Sequence, residues 1–218
     1  MPLTGGSTAS SAGLVVDIKI SAADLLSLNK EPGVATNVDN TYIVVAPSAL
    51  NDISGADIIG ITDSNGKKAK KVTLDTKRPS VSDVTIDLSK NELVLTMSES
   101  IDDRTIDLTQ ITLQDTADNT GTGKRQLTGG TASYNTLNSE ITVKLAEADV
   151  NAIQTDTSLC SAENKCFAVI AEAFVSDYAP TANKVVAIAV GSAKKVKALT
   201  ADNIKPVLNG FTLDVDLG

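Results

Sequence analysis

The feature that most limits what this chain can fold into is that its sequence repeats. At a spacing of 127 residues, Pro79 maps onto Pro206, Thr85 onto Thr212, and Asp87 onto Asp214. The same spacing maps Lys67-Lys68 onto Lys194-Lys195, Thr73 onto Thr200, and Asp75 onto Asp202. Nearer the N-terminus the spacing shortens, as loop insertions would produce. Leu3-Thr4-Gly5-Gly6 recurs as Leu127-Thr128-Gly129-Gly130 at 124. Val16, Ile18, Lys19, Ile20 and Asp24 recur as Ile141, Val143, Lys144, Leu145 and Asp149 at 125, as do Val44-Val45-Ala46 at Val169-Ile170-Ala171 and Asp52 at Asp177. Such self-similarity marks stacked or tandem units. It divides the chain into residues 1–78, the C-terminal part of one repeat; residues 79–205, a complete repeat; and residues 206–218, the first strand of a following repeat or a donor strand.

The hydrophobic period within the unit is two. Val84, Ile86 and Leu88 alternate with Thr85, Asp87 and Ser89; Leu93, Leu95 and Met97 alternate with Val94, Thr96 and Ser98; Ile141, Val143 and Leu145 alternate with Thr142 and Lys144. Each run is bounded by Asn, Gly, Asp or Pro, the punctuation of short strands. Helical turns are expected at 146–153 and at the copy 21–28, each directly after a strand and placed to cross between sheets. The fold class expected is all-β: tandem antiparallel β-sandwiches, with Pro79 and Pro206 at the junctions, where a fixed φ and a missing N–H suit a boundary.

Composition then removes most chemistries. The chain has no His and no Trp, its aromatics are 3%, and its formal net charge is −8. The Ser-His-Asp and Cys-His systems are absent, and the field has the wrong sign for nucleic acid or an anionic membrane. No segment approaches the ~20 apolar residues of a membrane span. Residues 1–6 have neither the basic nor the apolar region of a signal peptide. Asp102 and Asp103 are adjacent and do not form the separated carboxylate pair of a glycosidase. No enzymatic activity is expected. The Gly-Gly pairs read as tight turns or bulges, since a phosphate cradle needs a following helix and a Lys. Cys160 and Cys166 flank a polar loop. They are either a disulfide, which implies an oxidising compartment, or two reduced thiols; without His they are half a metal site.

The runs Lys77-Arg78-Pro79, Thr85-Ile86-Asp87-Leu88, Leu93 to Ile101, Asp107 to Gln114 and Leu127-Thr128-Gly129-Gly130 resemble the long Ig-like or cadherin-like tandem repeats of giant surface proteins of algae, other protists and bacteria. Segments Leu50 to Gly55 and Val175 to Pro180 resemble the Asp-x-x-Gly-Asn turn of such repeats, with Ala56 or Thr181 in place of Asn and Pro180 in place of Gly. The resemblance implies Greek-key β-sandwiches in an extracellular or cell-surface filament, adhesin or coat. The role it implies is that of a spacer module whose partners are neighbouring copies, head to tail. No cofactor is needed, although cadherin-like arrays bind calcium at junctions, for which Asp52, Asp177, Glu99, Asp102 and Asp103 are the candidate ligands. The lysines at 67–71 and 194–197 read as an edge-strand face that discourages sheet-to-sheet association, with anionic polysaccharide as an alternative partner. Phe211, Leu213, Val215 and Leu217 form one face of an assembly strand. That strand either opens the next unit of a longer array or inserts into the incomplete sandwich of another copy.

Overall fold

The computed structural model describes residues 1–10 and 13–216; Leu217 of the expected assembly strand lies outside them. In residues 1–78 the elements are β1 (Gly6–Ser7), β2 (Lys19–Ile20), α1 (Ala22–Lys30), β3 (Tyr42–Ile43) and β4 (Lys67–Lys68). Residues 79–205 hold β5 (Val81–Asp87), β6 (Glu92–Met97), β7 (Ile111–Gln114), β8 (Lys124–Gln126), β9 (Gly130–Tyr134) and β10 (Glu140–Leu145). They continue with α2 (Glu147–Thr155), β11 (Phe167–Ile170), β12 (Lys194–Lys195) and β13 (Ala198–Thr200). The fold is β-rich, with strands in several sheets and two short α-helices among the described residues. No helix among them is long and apolar enough to cross a membrane.

Residues 79–205 form a five-stranded sheet in the order β13-β5-β6-β10-β9 and a four-stranded sheet in the order β12-β11-β7-β8. The period-two runs explain why. Val84, Ile86, Leu93, Leu95, Ile141 and Val143 point inward and are buried, and one apolar cluster joins them to Ile111, Leu113, Ile170 and Phe174 of the second sheet and its loops. Each such side chain contributes about 1.5–3 kcal/mol by leaving water. Asparagines close the hairpins: Asn91 (φ 57°) sits between β5 and β6, and Asn138 (φ 49°) between β9 and β10, a left-handed backbone that Asn tolerates. Helix α2 carries the chain from β10 in one sheet to β11 in the other. One pairing departs from the antiparallel expectation: β13 runs parallel to β5, with Leu199 opposite Ile86. The chain reaches β13 after passing through the second sheet, so it returns to the β5 edge in the same direction as β5. Lys194 and Lys195 lie on β12, an edge of the second sheet.

Residues 1–78 repeat the later half of this plan. Gly6 pairs with Ile20 as Gly130 pairs with Leu145. Helix α1 begins and ends 125 residues before α2. Tyr42 pairs with Lys68 as Phe167 pairs with Lys195, and the bridge Val45–Ile61 matches Ile170–Ile188. The spacing changes from 125 to 127 between the bridges Asn51–Asp57 and Ser176–Lys184, which places a two-residue insertion in the turn after Asp177. Counterparts of β5 to β8 are not among residues 1–78, and residues 201–214 form no regular element. Phe211 and Leu213 there, and Val215 just beyond, are exposed and pair with no strand among the described residues.

Candidate functional site

The site with the most convergent polar chemistry is the junction between the two units. The linker, residues 75–79, lies along the segment that runs from Glu172 to Val186. Arg78 donates from Nε to the Lys184 carbonyl (2.9 Å) and from Nη2 to the Val185 carbonyl (2.6 Å), and it pairs with Glu172. Val186 donates its N–H to the Pro79 carbonyl (2.8 Å), and Asn183 Nδ2 donates to the Asp75 carbonyl (3.3 Å). The proline cannot donate to a ladder, so the strand-like contacts at this point come from its carbonyl and from Arg78.

Tyr178 is the second contact. Its hydroxyl donates to Asp103 Oδ1 (2.6 Å) and accepts from Asn138 Nδ2 (3.3 Å). Burial, then the bond to Asp103, pushes its phenol well above the ordinary tyrosine range. Lys30, the last residue of α1, places its Nζ 5.4 Å from the centre of the Tyr178 ring, and Arg104 Cζ lies 5.5 Å from it. Both are cation–π distances. Arg104 also holds Asp102 in a two-point pair (Nε–Oδ1 2.8 Å, Nη2–Oδ2 2.7 Å), which keeps the Asp102 carboxyl below its usual range. Leu28, Pro32, Val72 and Leu74 line the cleft on one side, Tyr178 and Pro180 on the other.

Beside this cleft three carboxylates converge: Asp75 from the linker, Glu99 from the loop after β6, and Asp177 from the turn before Tyr178, with one oxygen from each within 4.8 Å of the others. Glu99 Oε1 is enclosed and has no hydrogen-bond partner among the described residues. Burial first, and then the nearby Asp75 and Asp177 charges, raise the Glu99 carboxyl above its ordinary range against the opposing effect of Lys77. Asp177 is already fixed, its Oδ1 accepting from the Asn183 N–H (2.8 Å) and its Oδ2 from Asn183 Nδ2 (2.8 Å).

Of the ligands suggested by sequence, Glu99 and Asp177 therefore meet. Asp102 is engaged by Arg104 and Asp103 by Tyr178. Asp52 sits in the equivalent turn of the first unit, its Oδ1 capping the Ser54 and Ala56 N–H groups, and stands at no junction among the described residues. Asp75 escaped sequence reasoning as a ligand, although its recurrence as Asp202 four residues before a junction proline was the available signal. Arg78, Lys30 and Tyr178 had no comparable pattern. Cys160 and Cys166 are joined as a disulfide. Comparisons with protein families, with curated proteins and with solved structures return no match for this chain.

Proposed function

We propose that this chain is a structural module of an extracellular or cell-surface filament, adhesin or coat. Its units are Ig-like or cadherin-like β-sandwiches with Greek-key connections, which act as stiff spacers and continue head to tail through neighbouring copies without catalysing a reaction. The observation that carries this reading is the two sets of strand pairings 124 to 127 residues apart, with a linker clamped by Arg78 between them. A clamped junction fixes the pose of one unit on the next, the property a spacer needs. The disulfide is compatible with an oxidising, extracellular setting. The reading is tested with chains of two, four and six tandem copies of residues 79–205 imaged by electron microscopy. Contour length should rise linearly with copy number, with one bead per copy and a narrow spread of bead-to-bead spacing. Randomly oriented or collapsed beads would refute it.

The convergence of Asp75, Glu99 and Asp177 favours one further reading, in which calcium bridges the junction. Calcium takes about six to eight oxygen ligands, and three carboxylates from three segments, completed by water, suit a weak extracellular site. Without metal, Glu99 holds its proton to higher pH in the folded chain than in the unfolded one, where its pKa is about 4.3. Metal-free stability should then fall as pH rises from that value through the raised one, and Glu99→Gln should remove the fall. Millimolar calcium should raise the melting temperature at neutral pH in the parent and not in Glu99→Gln. An unchanged melting temperature in the parent removes the calcium reading. Carbohydrate binding gains no comparable support, since Tyr134, Phe167, Phe174 and Tyr178 of the complete unit are all at least partly buried.

A further inference from the structure

Residues 1–78 display in the open the apolar face that residues 79–205 enclose. Val16 is 39% exposed where Ile141 is 0%, and Ile18 is 55% exposed where Val143 is 0%. Ile43 on β3 and Leu3 before β1 are likewise exposed, while their counterparts Ala168 and Leu127 are buried. The difference is not one of side-chain type, because each pair is apolar on both sides. It follows the strands that are present. In the complete unit β6 lies beside β10, with Leu95 opposite Ile141 and Leu93 opposite Val143. Strand β7 lies beside β11, with Leu113 opposite Ala168, and β5 lies beside β13. In residues 1–78 the counterparts of β10, β11 and β13 are residues 15–20, which end in β2, residues 42–45, which begin with β3, and residues 71–73, and among the described residues none of these has its neighbour.

We propose that this face is a binding seat for a polypeptide segment of the 79–126 type, which supplies four strands in the order of β5 to β8. The complete unit fixes the register. The residue equivalent to Leu95 stands opposite Val16, that equivalent to Leu93 opposite Ile18, that equivalent to Leu113 opposite Ile43, and that equivalent to Ile86 opposite Val72, the last pair in parallel strands. The C-terminal strand of a second copy is the weaker occupant. Residues 206–214 correspond to β5 alone, so they would pair with residues 71–73 and leave Val16, Ile18 and Ile43 in water. The proposal rests on the repeat correspondence that underlies the spacer reading, and it adds the identity and register of what completes the unit.

The test is the full chain with a copy of residues 79–126 joined directly ahead of Leu3, in place of Met1 and Pro2, and a protease site at the join. Backbone amides at 16–20 and 42–45 should exchange with solvent roughly a hundredfold more slowly than in the parent, approaching those at 141–145 and 167–170, which serve as the internal reference for folding. After cleavage at the join the added segment should stay bound through gel filtration. Changing the Leu95 equivalent in the added segment to Asp should abolish both effects while the reference amides keep their protection. Unchanged exchange at 16–20, or release of the segment on cleavage, overturns the proposal. So does self-association of the parent chain that protects residues 71–73 and is lost in Leu213→Asp, which would make the tail of a second copy the occupant. None of these readouts measures bead spacing, so the seat and the spacer reading stand or fall separately.

Discussion

Asp149 shows how a single residue ties together stretches that are distant in sequence. Its side chain is buried; it accepts from the Thr128 N–H (2.8 Å) and Thr128 Oγ1 (3.1 Å) and pairs with Arg125 (2.6 Å). Its counterpart Asp24 accepts from the Thr4 N–H (2.9 Å), Thr4 Oγ1 (2.8 Å) and the Gly5 N–H (3.0 Å). Each helix is thereby pinned to the Leu-Thr-Gly-Gly corner of its own unit. Gly130 (φ 133°) completes the corner, since a β-carbon there would lie 2.4 Å from the Lys144 carbonyl oxygen. The recurrence of Leu-Thr-Gly-Gly and of the aspartate was plain in the sequence, but their contact was not, because 21 residues separate Thr128 from Asp149 and no pattern links them. Asp149→Ala leaves Arg125 and the Thr128 N–H without their carboxylate and should destabilise residues 79–205 by about 3 kcal/mol, near the lower end for a broken buried pair because Arg125 can still reach water. Asp24 adds a pH dependence. The Thr4 N–H, ahead of its other partners, holds this carboxyl below its usual range. Its stabilisation is therefore present above about pH 3.9 and lost as pH falls through the lower folded value. Urea unfolding of Asp149→Ala at neutral pH, and of Asp24→Asn across acid pH, measures both; an Asp24→Asn chain with the parent's acid slope contradicts the second.

Among the elements, the loop before β11 carries the most transferable lesson. In the complete unit the Cys160–Cys166 disulfide closes it, with Cys160 at φ 50°. At the corresponding positions the first unit has Ala35, at φ 55°, and Thr41. The backbone turn is thus conserved in shape where the covalent link is not. The first unit holds it instead by a capping box, in which Asn37 accepts from the Asp39 and Asn40 N–H groups and Asn40 accepts from the Asn37 N–H. The paired cysteines were legible as a disulfide or two thiols. The substitute cap was not, since Asn37 and Asn40 read as ordinary loop residues. The parallel pairing of β13 with β5 was equally hidden, because alternation gives faces but not strand direction. Ala35→Cys with Thr41→Cys should form a disulfide in air and stabilise the loop by about 2–3 kcal/mol in the chain-entropy model, measured by thiol titration and by denaturation with and without reductant. Two free thiols in the folded protein would show that the two turns differ more than their backbone angles suggest.

At the scale of the whole molecule the same sequence unit exists in two energetic conditions. In residues 79–205 the inner faces of both sheets meet and Leu93, Leu95, Ile141 and Val143 are fully buried. In residues 1–78 the counterparts of the last two, Val16 and Ile18, stay wet, and β2, which follows them, is two residues long. Short two-stranded ribbons have marginal stability by themselves. The repeat made this division readable, since it fixed which strands each segment holds. The packing of Lys30 on Tyr178 was not readable, because it joins side chains from different units. Residues 79–200 should therefore unfold as one cooperative body, while residues 1–74 and 203–216 open at far lower free energy. Limited proteolysis should trim the chain to a resistant product that begins between residues 75 and 79 and ends after Thr200. That product should melt within a few degrees of the main transition of the full chain, because the removed ends add little to the enclosed core. Lys30→Ala in the full chain should increase the rate of cleavage within residues 1–74 and leave the main transition in place, since a partly exposed cation–π contact contributes only about 0.5–1 kcal/mol. A single transition that shifts in the trimmed product by ten degrees or more, or equal exchange rates in β2 and β10, would mean that the two segments share one core and that the open face of the first is closed by the second.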